Sequence, residues 1–255
     1  MYAQAYLGAY VATTGRVLRQ LRADHRSMAM ILLIPSVLIT LLYFLYRDLP
    51  TAPNRTSPFN IACLFVLGLI PFVVMFLITS ISMQRERVSG TLERILTTPL
   101  RRFDLLASYG TAFSLAAAAQ ATIACLVSYG LLGLSTAAGA EWVFLIAIGN
   151  AILGVGLGLL CSAFARTEFQ AVQFMPVVVI PQLLLCGILV PRAAMPEWLQ
   201  WFSNVMPVSY AVEALQQLGT HPDLTDVAAR DIAVVFGCAA VALCLAAATL
   251  RRRTP

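Results

Sequence analysis

Polar positions in this chain do not alternate with apolar ones; they punctuate long apolar runs. Six runs stand out, at residues 28–46, 61–83, 105–132, 142–164, 169–190 and 232–250. A helix crossing about 30 Å of hydrocarbon needs about 20 residues at 1.5 Å each, and every run is long enough. Barrel strands would alternate with period two, and these runs do not. The pattern predicts an all-α integral membrane protein of six transmembrane helices. Pro176 and Pro181 fall inside the fifth run, which is expected to kink or unwind locally.

Three other pieces carry pattern of their own. In residues 1–27, Leu7, Tyr10, Val11, Leu18 and Leu21 fall on one face of a helical wheel, and Arg16, Arg19, Arg22 and Arg26 fall opposite. This predicts an amphipathic helix in the membrane interface; the plainer reading is a solvated leader. Residues 84–104 interleave Arg and Glu around a short apolar stripe of Leu92, Ile95 and Leu96. Gly90 should end any helix continuing from the second run, and Thr98-Pro99 reads as a cap and first turn, starting the third helix near Pro99. The plainer reading here is a solvated turn. Residues 191–231 are long for a connector. Pro196 can open a helix presenting Trp198, Trp201 and Phe202, and Pro207 one aligning Val208, Ala211, Val212 and Leu215 against Glu213 and Gln217. Such a pair can form an outer re-entrant hairpin or a folded cap.

Composition sharpens the picture. Hydrophobic residues make up 60% of the 255 and charged residues only 11%. A soluble domain averages about 25% charged residues, so an ordinary soluble enzyme is excluded. All seventeen basic residues are Arg, and thirteen lie in segments that share one side if the N-terminus is cytoplasmic. That bias predicts cytoplasmic N- and C-termini, with 251–255 as a cytoplasmic tail, and accounts for the net charge of +5 without nucleic acid.

The chemistry is mostly absent. The six cysteines sit in apolar runs without metal-ligand spacing, and His25 and His221 lie outside the runs, so no metal site is expected. No phosphate-binding loop is present. Gly154 and Gly158, four apart in the fourth run, read as helix-packing positions. The runs hold neutral polar residues, Gln120, Asn150, Gln173 and Gln182, which either bond between helices or line a substrate path. An intramembrane charge costs about 2.5–3.5 kcal/mol on insertion scales; their absence argues against an ion-driven carrier.

Two stretches resemble a known family. Residues 86–102, ERVSGTLERILTTPLRR, are similar to the cytoplasmic loop of type-2 ABC exporter permeases. Residues 187–218, GILVPRAAMPEWLQWFSNVMPVSYAVEALQQL, resemble the outer signature of the same family. The daunorubicin-resistance-like drug and lipid export branch is closest in appearance. Two departures stand out: Val205 and Met206 separate Asn204 from Pro207, and Gln216 and Gln217 replace an expected Arg. The resemblance implies a non-catalytic permease in the cell membrane, for a hydrophobic or amphiphilic compound. It further implies two copies of a separate ABC ATPase subunit, which would hold the Mg-ATP, and a second permease chain, identical or related. The first and fifth spans would lie near the seam between the two permeases. Coupling to the ATPase would fall to Arg85, Glu86, Arg87, Gly90, Thr91, Leu92, Glu93, Arg94, Ile95, Leu96 and Pro99. Outer gating would involve Pro191, Pro196, Trp198, Trp201, Phe202, Pro207, Tyr210 and Glu213. The competing readings are an ATP-independent membrane scaffold and a six-span intramembrane enzyme.

Overall fold

A computed structural model describes residues 2–50, 56–89 and 102–249. Among them, nine α-helices and no strands are found. They are α1 (Tyr2–Ala23), α2 (His25–Tyr46), α3 (Pro58–Val88), α4 (Arg102–Leu126), α5 (Ala140–Ser162), α6 (Glu168–Leu185), α7 (Glu197–Val205), α8 (Pro207–Thr220) and α9 (Asp226–Ala248). Six are long and apolar enough to cross a membrane: α2, α3, α4 with the π turn Val127–Leu131 that follows it, α5, α6 and α9.

The helix starts follow local chemistry. Asp24 caps α2, its carboxylate accepting bonds from the Ser27 amide and hydroxyl. Thr167 caps α6 and Thr225 caps α9 in the same manner. Pro58 and Pro207 occupy first turns, where a missing N–H costs nothing.

Helices α3 and α5 form the centre. Glycines on two faces of α5 allow it. A Cβ on Gly154 would collide with the Phe72 carbonyl oxygen of α3, and one on Gly158 would sit 2.6 Å from that of Phe76. On the other face, a Cβ on Gly149 would come within 2.8 Å of the Phe236 ring, and one on Gly156 within 2.9 Å of Ala242, both on α9. Helix α5 is thus wedged between α3 and α9 at distances only glycine permits. Helix α4 packs on α5, α2 packs on α3 and α4, and α6 packs on α3. The peripheral pair is thinly covered. Only Ile31, Pro35 and Ile39 are buried on α2, and only Ala171, Val179 and Gln182 on α6.

Several expectations shift. Residues 84–88, expected in the loop, are the last turn of α3, because no residue before Ser89 disfavours helix. Helix α6 runs through Pro176 and Pro181 without unwinding. Helix α9 starts at Asp226, six residues early, so Arg230 and the fully buried Asp231 are helical. The described part of the third span starts at Arg102. On α1 the buried stripe is Thr13, Thr14, Val17 and Leu21, while Val11 is exposed. Both threonines bury cheaply because their hydroxyls donate to carbonyls one turn back, Ala9 and Tyr10. The wheel grouped residues by hydropathy, so it put Val11 on the apolar face of the interfacial helix and omitted the threonines. The side chain of Leu7 lies outside the described ones.

Candidate functional site

The charged positions gather at the two ends of the bundle. At one end, α3 and α4 flank residues 90–101. Gly90, Thr91, Leu92, Glu93, Arg94, Ile95, Leu96 and Pro99 all lie outside the described residues, as do residues 250–255. The root of that loop is described. Glu86, on the last turn of α3, is buried, and the Gln20 side-chain amide of α1 donates to it at 2.7 Å. Its other carboxylate oxygen accepts no hydrogen bond among the described residues. Arg85, the preceding residue, points to a different neighbour. It donates through Nε and Nη2 to the two carboxylate oxygens of Glu168, the first residue of α6, at 3.3 and 3.4 Å. Arg87 is half-buried beside them.

Helix α1 is tied to α4 as well as to α3. Arg16 donates to the Tyr109 hydroxyl at 2.5 Å, its guanidinium also lying 5.8 Å from that ring's centre. The Tyr10 hydroxyl lies 2.5 Å from that of Thr111, and Ser108 donates to the Tyr10 carbonyl at 3.3 Å. A pocket of about 50 Å³ sits between these helices, lined by Gln20, Asp24, Arg85, Glu86 and Tyr109 among others. It has the size for a water or two and not for an organic substrate. Asp24 sits outside the spanning helices, and its bonds from Ser27 hold its carboxyl below the ordinary range. The wheel placed Arg16 among solvated charges; its bond to a tyrosine 93 positions away leaves no trace in the sequence.

At the opposite end, Gly187 turns the chain out of α6 with φ +92°, a backbone conformation that favours glycine. Pro191 then precedes a single 3-10 turn, and Pro196 opens α7. Trp198, Trp201 and Phe202 are exposed on α7. Pro207 opens α8, which buries Val208, Ala211, Val212 and Leu215. Val208 shares a core with Phe72 and Leu153, and Val205 and Pro207 line a cleft with Leu153, Leu157 and Val234, all mid-helix positions.

Arg192 organises this hairpin. Its guanidinium donates to the Glu213 carboxylate of α8 and the Asn204 side chain of α7, and lies 5.3 Å from the Tyr210 ring centre. Tyr210 closes the ring by donating to the Asn204 carbonyl at 2.7 Å. Arg230 of α9 approaches Glu213 at 4.0 Å and pairs with Asp231 at 2.7 Å. Sequence reading singled out Tyr210 and Glu213 but not Arg192, since a lone Arg between two prolines reads as loop.

The neutral polar residues separate. Asn150 of α5 is fully buried and donates to the Gly68 carbonyl of α3. Gln182 donates to the Val178 carbonyl of its own helix at 3.0 Å and accepts from the Val208 amide at 3.3 Å, fastening α6 to α8. Gln120 is buried, and its amide has no hydrogen-bond partner among the described residues. Gln173 is exposed on α6. The four share no partner. Among the described residues no group of His, Cys, Asp or Glu could hold a metal ion.

A family model described as ABC-2 type transporter matches residues 9–218, from within α1 through the loop end to the last turn of α8. The chain belongs to that family. Curated relatives are named as ABC transporter proteins as well. The chain is 29% identical over 150 residues to ABC transporter G family member 20 of Dictyostelium discoideum, a match covering 59% of this chain and 20% of that protein. It is 27% identical over 153 residues to the probable multidrug ABC transporter permease YbhR of Escherichia coli, covering 60% of this chain and 42% of that one. A third relative, the probable multidrug permease YbhS of the same species, is 27% identical over 151 residues, covering 59% and 40%. The chain thus spans less than half the length of these relatives. Membership and six spanning helices together make it a multi-pass membrane protein.

Proposed function

We propose that this ABC-2 type chain is the transmembrane permease subunit of an ATP-driven exporter. A separate ATPase subunit, present in two copies and holding the Mg-ATP, would dock on residues 90–101 and drive alternating access in a pair of permeases. The substrate would be a hydrophobic or amphiphilic compound, which suits spans holding only neutral polar groups away from their ends. The thinly buried α2 and α6 would face the second permease, and the hairpin α7–α8 would dip into the outer leaflet. The chain would sit in the cell membrane with both termini cytoplasmic.

One observation carries this reading: the root of the Arg- and Glu-rich loop is fastened to helices on both sides, Glu86 to α1 and Arg85 to α6. A loop that only connected two spans would have no need of such fixtures. A loop that receives mechanical work does, because motion at its root must reach the bundle. Apolar knobs at Leu92, Ile95 and Leu96 beside charges at Glu93 and Arg94 suit a cleft on a partner protein. The names of the relatives, two of them probable multidrug ABC transporter permeases, support the reading.

Purification of the tagged chain from its native membranes in mild detergent tests the reading. A stoichiometric P-loop ATPase is expected, lost on Leu92→Asp and retained on Gln173→Ala. Its absence, under conditions that keep other membrane complexes intact, would return the chain to the scaffold or enzyme readings.

A further inference from the structure

We propose that Arg85 and Glu168 are positioning residues that carry motion of the loop root into α6. This inference rests on the permease reading above and adds a route to it.

Consecutive residues of α3 reach in different directions. Glu86 is buried and held by Gln20 of α1, which fixes it against the body of the bundle. Arg85 reaches outward and grips the first residue of α6 with two parallel bonds, at 3.3 and 3.4 Å. A bidentate guanidinium–carboxylate pair fixes direction as well as distance. The pair is half-exposed, so it adds little to the stability of the resting fold. That weakness in stability is compatible with a contact that shifts under load.

Helix α6 is built to respond. Its start is sharply defined, because Thr167 accepts from the Gln170 amide and the Gln170 side chain accepts from the Arg166 amide. A pull on Glu168 therefore acts on a rigid first turn. Beyond it, Pro176 and Pro181 remove two backbone donors from the middle of the helix, which lowers the resistance to bending there. Only three side chains of α6 are buried, so little packing holds it to α3. At its far end, Gln182 accepts from the Val208 amide, and the Leu185 carbonyl accepts from Ser203 at 2.7 Å. The route thus runs from the loop root through Arg85 and Glu168, along α6, to the base of the hairpin.

The test uses the purified complex in lipid nanodiscs, with a cysteine at exposed Leu189, just past the far end of α6, and the native cysteines replaced by alanine or serine. Modification by a maleimide is followed in the apo complex and after trapping with Mg-ATP and vanadate. The expected result is a nucleotide-dependent change in rate for the wild-type pair. That change is lost in Glu168→Gln while ATPase binding persists, it is lost as well in Arg85→Gln, and it is restored in the double exchange Arg85→Glu/Glu168→Arg. A merely structural pair would leave the nucleotide response unmoved in the single variants, which would overturn the proposal. An unresponsive wild-type pair would overturn it too. Failure of any ATPase to associate with the wild-type chain would instead sink the permease reading itself.

Discussion

Two glycines set the position of the central helices, and their cost is calculable. Alanine at Gly154 places a methyl group against the Phe72 carbonyl, a backbone atom that cannot rotate away. Helices α3 and α5 must separate, and overpacking of this kind costs about 1–3 kcal/mol. Asn150, one turn away, offers a contrast. Its bond to the Gly68 carbonyl crosses the same interface, but such bonds average about 0.6 kcal/mol in membrane proteins. Gly154→Ala is therefore expected to lower the melting temperature of the detergent-solubilised chain more than Asn150→Ala does. The reverse order would mean that the polar bond, and not close backbone approach, holds the pair. Asp24 gives a residue-scale prediction with a pH sign. Bonds from Ser27 lower its carboxyl from the ordinary value of 3.8, so the ionised form stabilises the fold. That contribution is complete above the unfolded value and is lost as pH falls through the lowered one. Asp24→Asn keeps a capping side chain but not the charge. Its stability deficit relative to wild type should be constant above ~pH 5, shrink as pH falls below the unfolded value and vanish below the lowered one. Paired thermal melts across that range check it, and a deficit that grows with acid would reverse the assigned sign.

Among the elements, those built from long apolar runs were legible in the sequence, and those built from single polar contacts were not. The six spans, the opening of α7 and α8 at Pro196 and Pro207, and the buried face of α8 all follow from local pattern. The ties of α1 do not. Gln20 meets Glu86 across 66 positions and Arg16 meets Tyr109 across 93, and neither spacing leaves a periodic trace. The end of α3 was missed for a related reason. Arg85, Glu86 and Arg87 read as loop by charge, yet all three favour helix when a span is already nucleated behind them. The hairpin shows how one unread residue governs an element. Arg192 touches α7 and α8 at once and is only 19% exposed. Replacing it with alanine leaves Glu213 with Arg230 alone, at 4.0 Å. The loss lies between that of an exposed and of a buried pair, about 1–2 kcal/mol. Because the hairpin packs on the bundle through α8, this should loosen α7 before it unfolds the spans. Arg192→Ala is expected to speed proteolytic cleavage within residues 187–206 with little change in global melting. Arg192→Lys, which keeps charge but loses the planar fork, should fall in between. Equal cleavage rates in all three would remove Arg192 from the centre of the hairpin.

For the whole molecule, the distribution of guanidiniums decides which end faces the cell interior. Arg47, Arg192 and Arg230, the described arginines of the hairpin end, each have a carboxylate partner: Asp48, Glu213 and Asp231. The loop end is richer in arginine, and there Arg16 bonds to a tyrosine hydroxyl rather than to an acid. By count, thirteen of the seventeen arginines belong to the loop end, where α1, the root of α3 and the start of α4 meet. Translocation of such a cluster is disfavoured, whereas connections poor in arginine cross readily, and acidic neighbours change this little. The bundle should accordingly insert with the loop end inside. Alkaline phosphatase, active only outside the cytoplasm, reports this directly. A fusion after Ala137, between α4 and α5, should be active, and fusions after Arg166 and after Pro255 should be inactive. The hairpin end would then face outward and residues 90–101 inward, the only arrangement in which a cytoplasmic ATPase could reach the loop. The opposite pattern of activity would place the loop beyond the reach of cytoplasmic ATP and end the exporter reading, whatever the family to which the chain belongs.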